Sequence, residues 1–346
     1  MKAGKCISII VPMYNEEANV AAFFEQINLT IAKIRSDLGF RIELIVNDNC
    51  SSDGTFELLE KHYKRHDPKA YDLRIFRFSR NVGFQRSILA GYYKSRGDAV
   101  VQIDADLQDS PDMILAFIEN WQAGYEVVYG IREKRREGRM NSFLRNLYYK
   151  LVNAISKDDL PVGAGDFRLI DRKLVDVICA MRDYDPYLRG AIASLGFSQK
   201  GIPYARNERT AGETSFGFFD LLKLSLDGIS NHSVFPLRMA IYLSFAISIL
   251  TAFLSVIYLV GWIFSGNEYP RGFATLVLMQ LGGLGILSFL IGVQGEYVGR
   301  MFRQSKEGPL AIVERKMELT ARNSARSKTD SEVEVLWFGE NRKGSD

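Results

Sequence analysis

ISIIVPMYNEE, residues 7–17, opens with a β-branched run from Ile7 to Val11, which Pro12 ends and a polar Tyr14-Asn15-Glu16 corner follows. A helical segment then extends from Asn15 to about Ser36, with Val20, Phe23, Phe24, Ile27 and Ile31 on one face. This strand, corner and helix set a pattern that recurs. Ile42 to Val46 passes through the polar turn Asn47 to Gly54 into a helix from Thr55 to Lys64. Leu73 to Phe78, Ala99 to Ile103 and Glu126 to Tyr129 read as further strands, separated by helical segments. The alternation predicts an α/β fold, a mostly parallel Rossmann-like sheet with helices on its faces. Ligands on such sheets lie beyond the carboxyl ends of strands. The candidates are therefore Tyr14, Asn15 and Glu16, then Asp48 and Asn49, then Asp104, Asp106 and Gln108.

The chain has 346 residues, 47% apolar and 25% charged, which excludes disorder, a collagen-like repeat and a disulfide scaffold. A net charge of +3, with both signs mixed along the chain, excludes a nucleic-acid partner. Cys6, Cys50 and Cys179 lie far apart with no CxxC, as expected of a reduced domain facing the cytosol. No apolar leader precedes Ile7, so the expected amino terminus is cytosolic.

The second half differs in character. Neither Met239 to Phe264 nor Gly272 to Gln294 contains a charged residue. A spanning helix needs roughly 20 apolar residues, so both stretches are long enough. The pattern predicts two transmembrane helices, about 237–264 and 272–295, within a hairpin region 236–299. Arg238 before the first, and Arg300, Arg303 and Lys306 after the second, put both outer ends in the cytosol. A cytosolic domain over 1–210, an interfacial amphipathic segment over 211–235 and a mobile, charged cytosolic tail over 300–346 complete the expected organisation. A further apolar stripe, Phe143 to Ile155, fits either an interfacial helix or one packed on the sheet.

Asp104-Ala-Asp106-Leu-Gln108-Asp109 is the sharpest local signal. Carboxylates at i and i+2 after a strand, with an amide oxygen at i+4, suit a hard cation such as Mg²⁺ or Mn²⁺ that also takes waters and substrate phosphates. The alternative is a solvated acidic turn capping the helix after Pro111.

VPMYNEE (Val11 to Glu17), NDNCSSDGT (Asn47 to Thr55), RNVGFQRSILAGY (Arg80 to Tyr92) and DADLQDSP (Asp104 to Pro111) share their order and spacing with the family 2 glycosyltransferases. The resemblance covers about residues 5–235 and implies a GT-A fold. The pair of apolar stretches makes the chain similar to the polyisoprenyl-phosphate branch, which includes bactoprenol glucosyltransferases and dolichol-phosphate mannose synthases. It implies that Pro12, Tyr14, Asn15 and Glu16 line the nucleoside pocket and that Asp48 contacts base or ribose. Asn49 stands where the family often has a second Asp. Asp104 and Asp106, with Gln108, would bind Mg²⁺ or Mn²⁺ bridging the donor diphosphate.

The same resemblance implies a polyprenyl-phosphate acceptor. Guanidinium groups suit phosphate recognition, which makes Arg132, Arg135, Arg136, Arg168, Arg206 and Arg209 the candidates for that end. Asp166 is the candidate catalytic carboxylate, as proton acceptor or as an orienting group paired with Arg168; the bland reading is a buried Asp in a tight Gly163-Ala-Gly165 turn. The expected activity is inverting transfer of a hexose, in the first instance glucose from UDP-glucose, to undecaprenyl phosphate at the cytosolic face of a bacterial inner membrane, by a self-associating protein. GDP-mannose as donor and a non-catalytic membrane scaffold are the alternatives. A processive synthase is disfavoured because no QxxRW precedes or contains Trp121, Trp262 or Trp337.

Overall fold

The computed structural model describes residues 5–132, 164–183, 186–205, 272–305, 308–320, 328–330 and 333–338, with scattered helical positions between 242 and 260. They fall into two compact units: a sheet unit that also takes in the segment after Glu307, and a second unit within Phe216–Lys306.

Strand β1 (Cys6–Met13) and helix α1 (Glu17–Lys33) come first, and α1 ends in a π-helical turn, Ile34–Leu38. Then follow β2 (Arg41–Asp48), α2 (Thr55–Arg65), β3 (Asp72–Phe78), α3 (Phe84–Lys94), β4 (Ala99–Gln102), α4 (Met113–Gln122) and β5 (Val127–Arg132). After the undescribed stretch come β6 (Ala164–Asp171), α5 (Arg172–Ala180), α6 (Leu188–Ser194) and β7 (Gln199–Tyr204). Helix α7 (Phe273–Ser305) and strands β8 (Ala311–Leu319), β9 (Lys328–Asp330) and β10 (Glu334–Leu336) complete the order.

One ten-stranded sheet runs β10-β8-β3-β2-β1-β4-β6-β5-β7, with β9 alongside β8. β1 pairs in parallel with both β2 and β4. The strand order therefore reverses at β1, a switch point where a crevice opens beyond the carboxyl ends. β6 is antiparallel to β4 and β5, so it is the amino end of β6 that reaches the same rim.

Alternation within strands sets the two core layers. Ile7, Ile9 and Val11 of β1 face Val20, Phe23 and Ile27 of α1 and Phe117 of α4. Ile10, from the opposite face, joins Ile88, Leu89 and Tyr92 of α3 and Leu174 and Ile178 of α5. A strand with apolar groups on both faces belongs in the middle of a sheet covered on both sides, which is where β1 lies.

The carboxyl-terminal tail departs from expectation. Instead of a mobile charged segment, β8 pairs antiparallel with β3, Leu73 opposite Leu319 and Arg77 opposite Arg315. Its charges are used inside the fold: Arg74 of β3 donates to Glu43 Oε1 of β2 at 2.7 Å and to Glu318 Oε1 of β8 at 2.7 and 2.9 Å. Ser8 Oγ of β1 adds a bond to Glu43 Oε2 at 2.6 Å. Arg74 and Glu43 are almost completely buried, so each requires the other.

Among the described residues no helix is long and apolar enough to cross a membrane. The second expected span falls on α7, which continues past Gln294 to Ser305 and leaves Leu276, Leu284, Leu287, Ile291 and Phe302 exposed. The first expected span, apart from scattered positions, and the interfacial segment 211–235 lie outside the described residues.

Candidate active site

The rim is assembled from strand ends. Tyr14, Asn15 and Glu16 leave β1; Asp48 ends β2; Asp104 and Asp106 follow β4; Asp166 enters on β6; Arg132 ends β5 and Tyr204 ends β7, paired with each other in register. The structure thus brings together the sequence candidates Pro12, Tyr14, Asn15, Glu16, Asp48, Asp104, Asp106, Gln108, Arg132, Asp166 and Arg168. Arg135, Arg136, Arg206 and Arg209 lie outside the described residues.

Asn15, Cys50 and Leu107, at φ 54°, 61° and 56°, are the non-glycine residues with positive φ among those described, and each stands just after β1, β2 or β4. Backbone strain of that kind costs of order 1–3 kcal/mol and persists where the surroundings enforce it. The enforcing bonds are visible. Asn15 N–H donates to Ser51 Oγ at 3.0 Å, and Ser52 N–H donates back to Asn15 Oδ1 at 2.8 Å. Glu16 N–H donates to Thr55 Oγ1 at 2.8 Å, and Gly54 N–H to Glu17 Oε2 at 3.0 Å. The β1 and β2 corners are one laced unit.

Within that unit, Tyr14 is 47% exposed and free to present its ring to a ligand, and Pro12 is half-buried opposite Asn47. Asp48 is fully buried: Oδ1 accepts from Ser51 N–H at 3.2 Å and Oδ2 lies 3.5 Å from Arg77. Burial pushes its carboxyl upward, with Ser51 and Arg77 opposing. Asn49 acquires a definite role. Its Nδ2 donates to Asn81 Oδ1 at 2.9 Å and its Oδ1 accepts from Val82 N–H at 2.9 Å, which ties the β2 corner to the loop before α3. Gly83 starts that helix at φ 88° and ψ 160°, open to glycine and closed to side chains.

Near the β4 and β6 ends, Asp104 lies within electrostatic reach of three other carboxylates. Burial first, then Asp166, Asp106 and Asp109, push the carboxyl of Asp104 up to about 7. Asp109 is already engaged, accepting from Tyr204 Oη and lying 3.5 Å from Arg132. Asp166 is engaged by Arg189, which donates to Oδ2 at 2.7 Å and Oδ1 at 3.3 Å, while Arg168 stands 3.9 Å away. Although burial pushes Asp166 upward, Arg189 foremost and then Arg168 hold it below the ordinary carboxylate value. Asp106 is nearly buried and accepts from Gln108 N–H at 3.1 Å.

Asp104 and Asp106 are thus a close pair of carboxylates whose mutual repulsion a divalent cation would relieve, and the donor set fits one. Among the described residues there is no group of three or more His, Cys, Asp or Glu arranged to hold a metal. Two protein carboxylates leave coordination positions for phosphate oxygens and water, which is how Mg²⁺ is usually bound at phosphate sites.

Asp166 sits within β6 rather than in a tight turn, and its main partner is Arg189, not Arg168. Arg168 is 4% exposed, donates to Gly165 O at 2.9 Å, and loses basicity through burial. Below it, Tyr92 Oη donates to Gln102, whose amide donates to Asp166 O. Arg189 and Tyr204 escaped sequence reading. Tyr204 ends a short polar strand, and Arg189 lies on a helix of seven residues, too short to show a periodicity.

Residues 8–179 match Glycosyl transferase family 2. The uncharacterized glycosyltransferase YkcC of Bacillus subtilis (strain 168) is 38% identical over 309 residues, 89% of this chain and 93% of that protein. The bactoprenol glucosyl transferase of Shigella phage SfV is 32% identical over 310 residues, 89% and 97% of the two chains. Among solved structures, glucosyl-3-phosphoglycerate synthase from Mycobacterium tuberculosis, in complex with Mn²⁺, UDP and phosphoglyceric acid, aligns with a TM-score of 0.47 at 20% identity, covering 66% of this chain and 77% of that one. With family motifs on the rim of its sheet and relatives matched over nearly their whole length, this chain belongs to glycosyl transferase family 2.

Proposed function

We propose that this glycosyltransferase moves a hexose, glucose from UDP-glucose in the first instance, onto a polyprenyl phosphate of the undecaprenyl type, with inversion at the anomeric carbon. The observation that carries the reading is the rim itself: a laced β1/β2 corner beside a paired Asp104–Asp106 set, at the point where strand order reverses. The lipid acceptor is supported by relatives named bactoprenol glucosyl transferase, aligned over 97% of their length.

Tyr14, Asn15 and Glu16, with Pro12 and the Asp48 corner behind them, hold the nucleoside. Asp104 and Asp106, with Gln108, would hold Mg²⁺ or Mn²⁺, which supplies charge neutralisation to the departing diphosphate. Asp166, kept ionised by Arg189, orients the acceptor. A phosphate monoester is already ionised near neutral pH, so a strong base is not required. Arg132, 3.5 Å from Asp109, and Arg168, 3.9 Å from Asp166, belong to the proposed phosphate-binding set, which Arg135, Arg136, Arg206 and Arg209 extend.

The two uncharged stretches support membrane attachment as an integral protein, with the sheet unit on the cytosolic side, and self-association of a thin two-helix anchor. Asp106→Ala tests the metal assignment: transfer lost with the melting temperature retained supports it, and full activity in that variant overturns it.

A further inference from the structure

Arg77, next to last in β3, is where three segments meet. Its guanidinium lies 3.5 Å from Asp48 Oδ2, donates to Ser51 O at 3.2 Å, and stands 4.5 Å from the centre of the Phe56 ring of α2. On its other side is β8, with Glu314 Oε2 3.9 Å from Arg77 Nε. Arg315 lies over the same Phe56 ring at 5.6 Å and pairs with Glu60 of α2 at 3.5 Å. The β3–β8 register shifts between Arg77 and Phe78, and irregularities of this type re-aim side chains at the edge of a site.

What Arg77 grips is the strained corner of the rim. Cys50 holds its positive φ between Asp48 and Ser51, and Ser51 in turn receives the Asn15 N–H. Asp48 Oδ2 is buried without a hydrogen bond, so the nearby guanidinium is its compensation. We propose that Arg77 is a positioning residue for the nucleoside side of the donor pocket, held over the Asp48 corner by the Phe56 ring and by Glu314 of the returning strand β8. The inference rests on the donor-site reading above. It makes the strand that follows α7 in sequence a determinant of donor affinity and not only an edge of the sheet.

The same strand contains its own control. Glu318, at the other end of β8, pairs with Arg74 at 2.7 Å, away from the rim, and a change there tests stability alone. UDP and GDP are titrated calorimetrically, with Mn²⁺, into the full chain and its R77Q, R77K, E314Q and E318Q variants, with a melting temperature for each. R77Q is expected to weaken binding of the preferred nucleotide about tenfold, with R77K intermediate, because a charged hydrogen bond and a planar fork are lost in turn. E314Q, breaking a half-exposed pair, weakens it about twofold. E318Q lowers the melting temperature and leaves affinity as in the unaltered chain. In turnover, R77Q raises KM for the donor with kcat little changed. Equal affinity in R77Q and the unaltered chain, or an equal loss in R77Q and E318Q, overturns the inference. If the folded, unaltered chain binds neither nucleotide, the donor-site reading itself fails.

Discussion

Arg189 holds both carboxylate oxygens of Asp166, at 2.7 and 3.3 Å, so the carboxylate at the centre of the rim is clamped as an anion. A clamped anion is a poor proton acceptor and a good orienting group. Arg189→Gln is expected to lower kcat by about 10²-fold, the scale of losing a well-placed polar group in an active site. Donor affinity stays unchanged, and Arg189→Lys recovers part of the loss. Steady-state kinetics on the three proteins check this.

The same clamp has a pH signature. Asp166 is held below its ordinary value of 3.8, so its contribution to stability is fully present above that value and is lost as pH falls through the folded value. The melting-temperature gap between the native chain and Arg189→Gln should be wide at pH 7 and close in acid. A gap constant with pH contradicts the ion pair.

Asp104 predicts the opposite sign. Its carboxyl is pushed up to about 7, so ionising it in the metal-free protein costs stability that appears as pH rises from the ordinary carboxylate range through about 7. Asp104→Asn should raise the melting temperature of metal-free protein at pH 8, by the equivalent of about 1–3 kcal/mol, with the gain shrinking as pH falls and vanishing below the ordinary value of 3.8. The variant should also lose stabilisation by Mn²⁺. Thermal scans with and without metal test both parts.

At the end of the strands away from the rim, Arg74→Met should destabilise the chain by about 3–5 kcal/mol, because Glu43 is left as an unpaired buried charge. Chemical denaturation measures the loss. Replacing Arg74 and Glu43 together by apolar residues should recover much of it.

Gly83→Ala separates strain from crowding. No atom lies within 4 Å of where its Cβ would stand, yet φ is +88°. A loss of about 1–3 kcal/mol is expected from the backbone alone, read from the denaturation midpoint. No loss would mean that α3 can start with a different turn.

Local pattern made half of this structure legible. Ile7 to Val11 and Ile42 to Val46 announce central strands because a strand covered on both faces is apolar on both, and the polar corners after them mark the rim. Asp166 was legible as a candidate but not as part of a strand, since β6 is held by register with Gln102 and Tyr129 rather than by its own composition. The tail was misread for a related reason. Arg315, Lys316 and Glu318 give β8 the charge of a solvated segment, and their partners Glu60, Glu334 and Arg74 are far away in sequence or on other strands. Arg189 could not be found without its partner, because the fork on Asp166 exists only in the folded chain.

The most direct test of the central claim is a transfer assay on the purified full chain in detergent. Labelled UDP-glucose, UDP-galactose, UDP-GlcNAc and GDP-mannose are offered in turn, with and without undecaprenyl phosphate, with Mg²⁺ or Mn²⁺ and then with EDTA. The account predicts label entering the organic phase from UDP-glucose only when lipid phosphate and metal are both present. A folded chain that moves no label to lipid from any of the donors contradicts it.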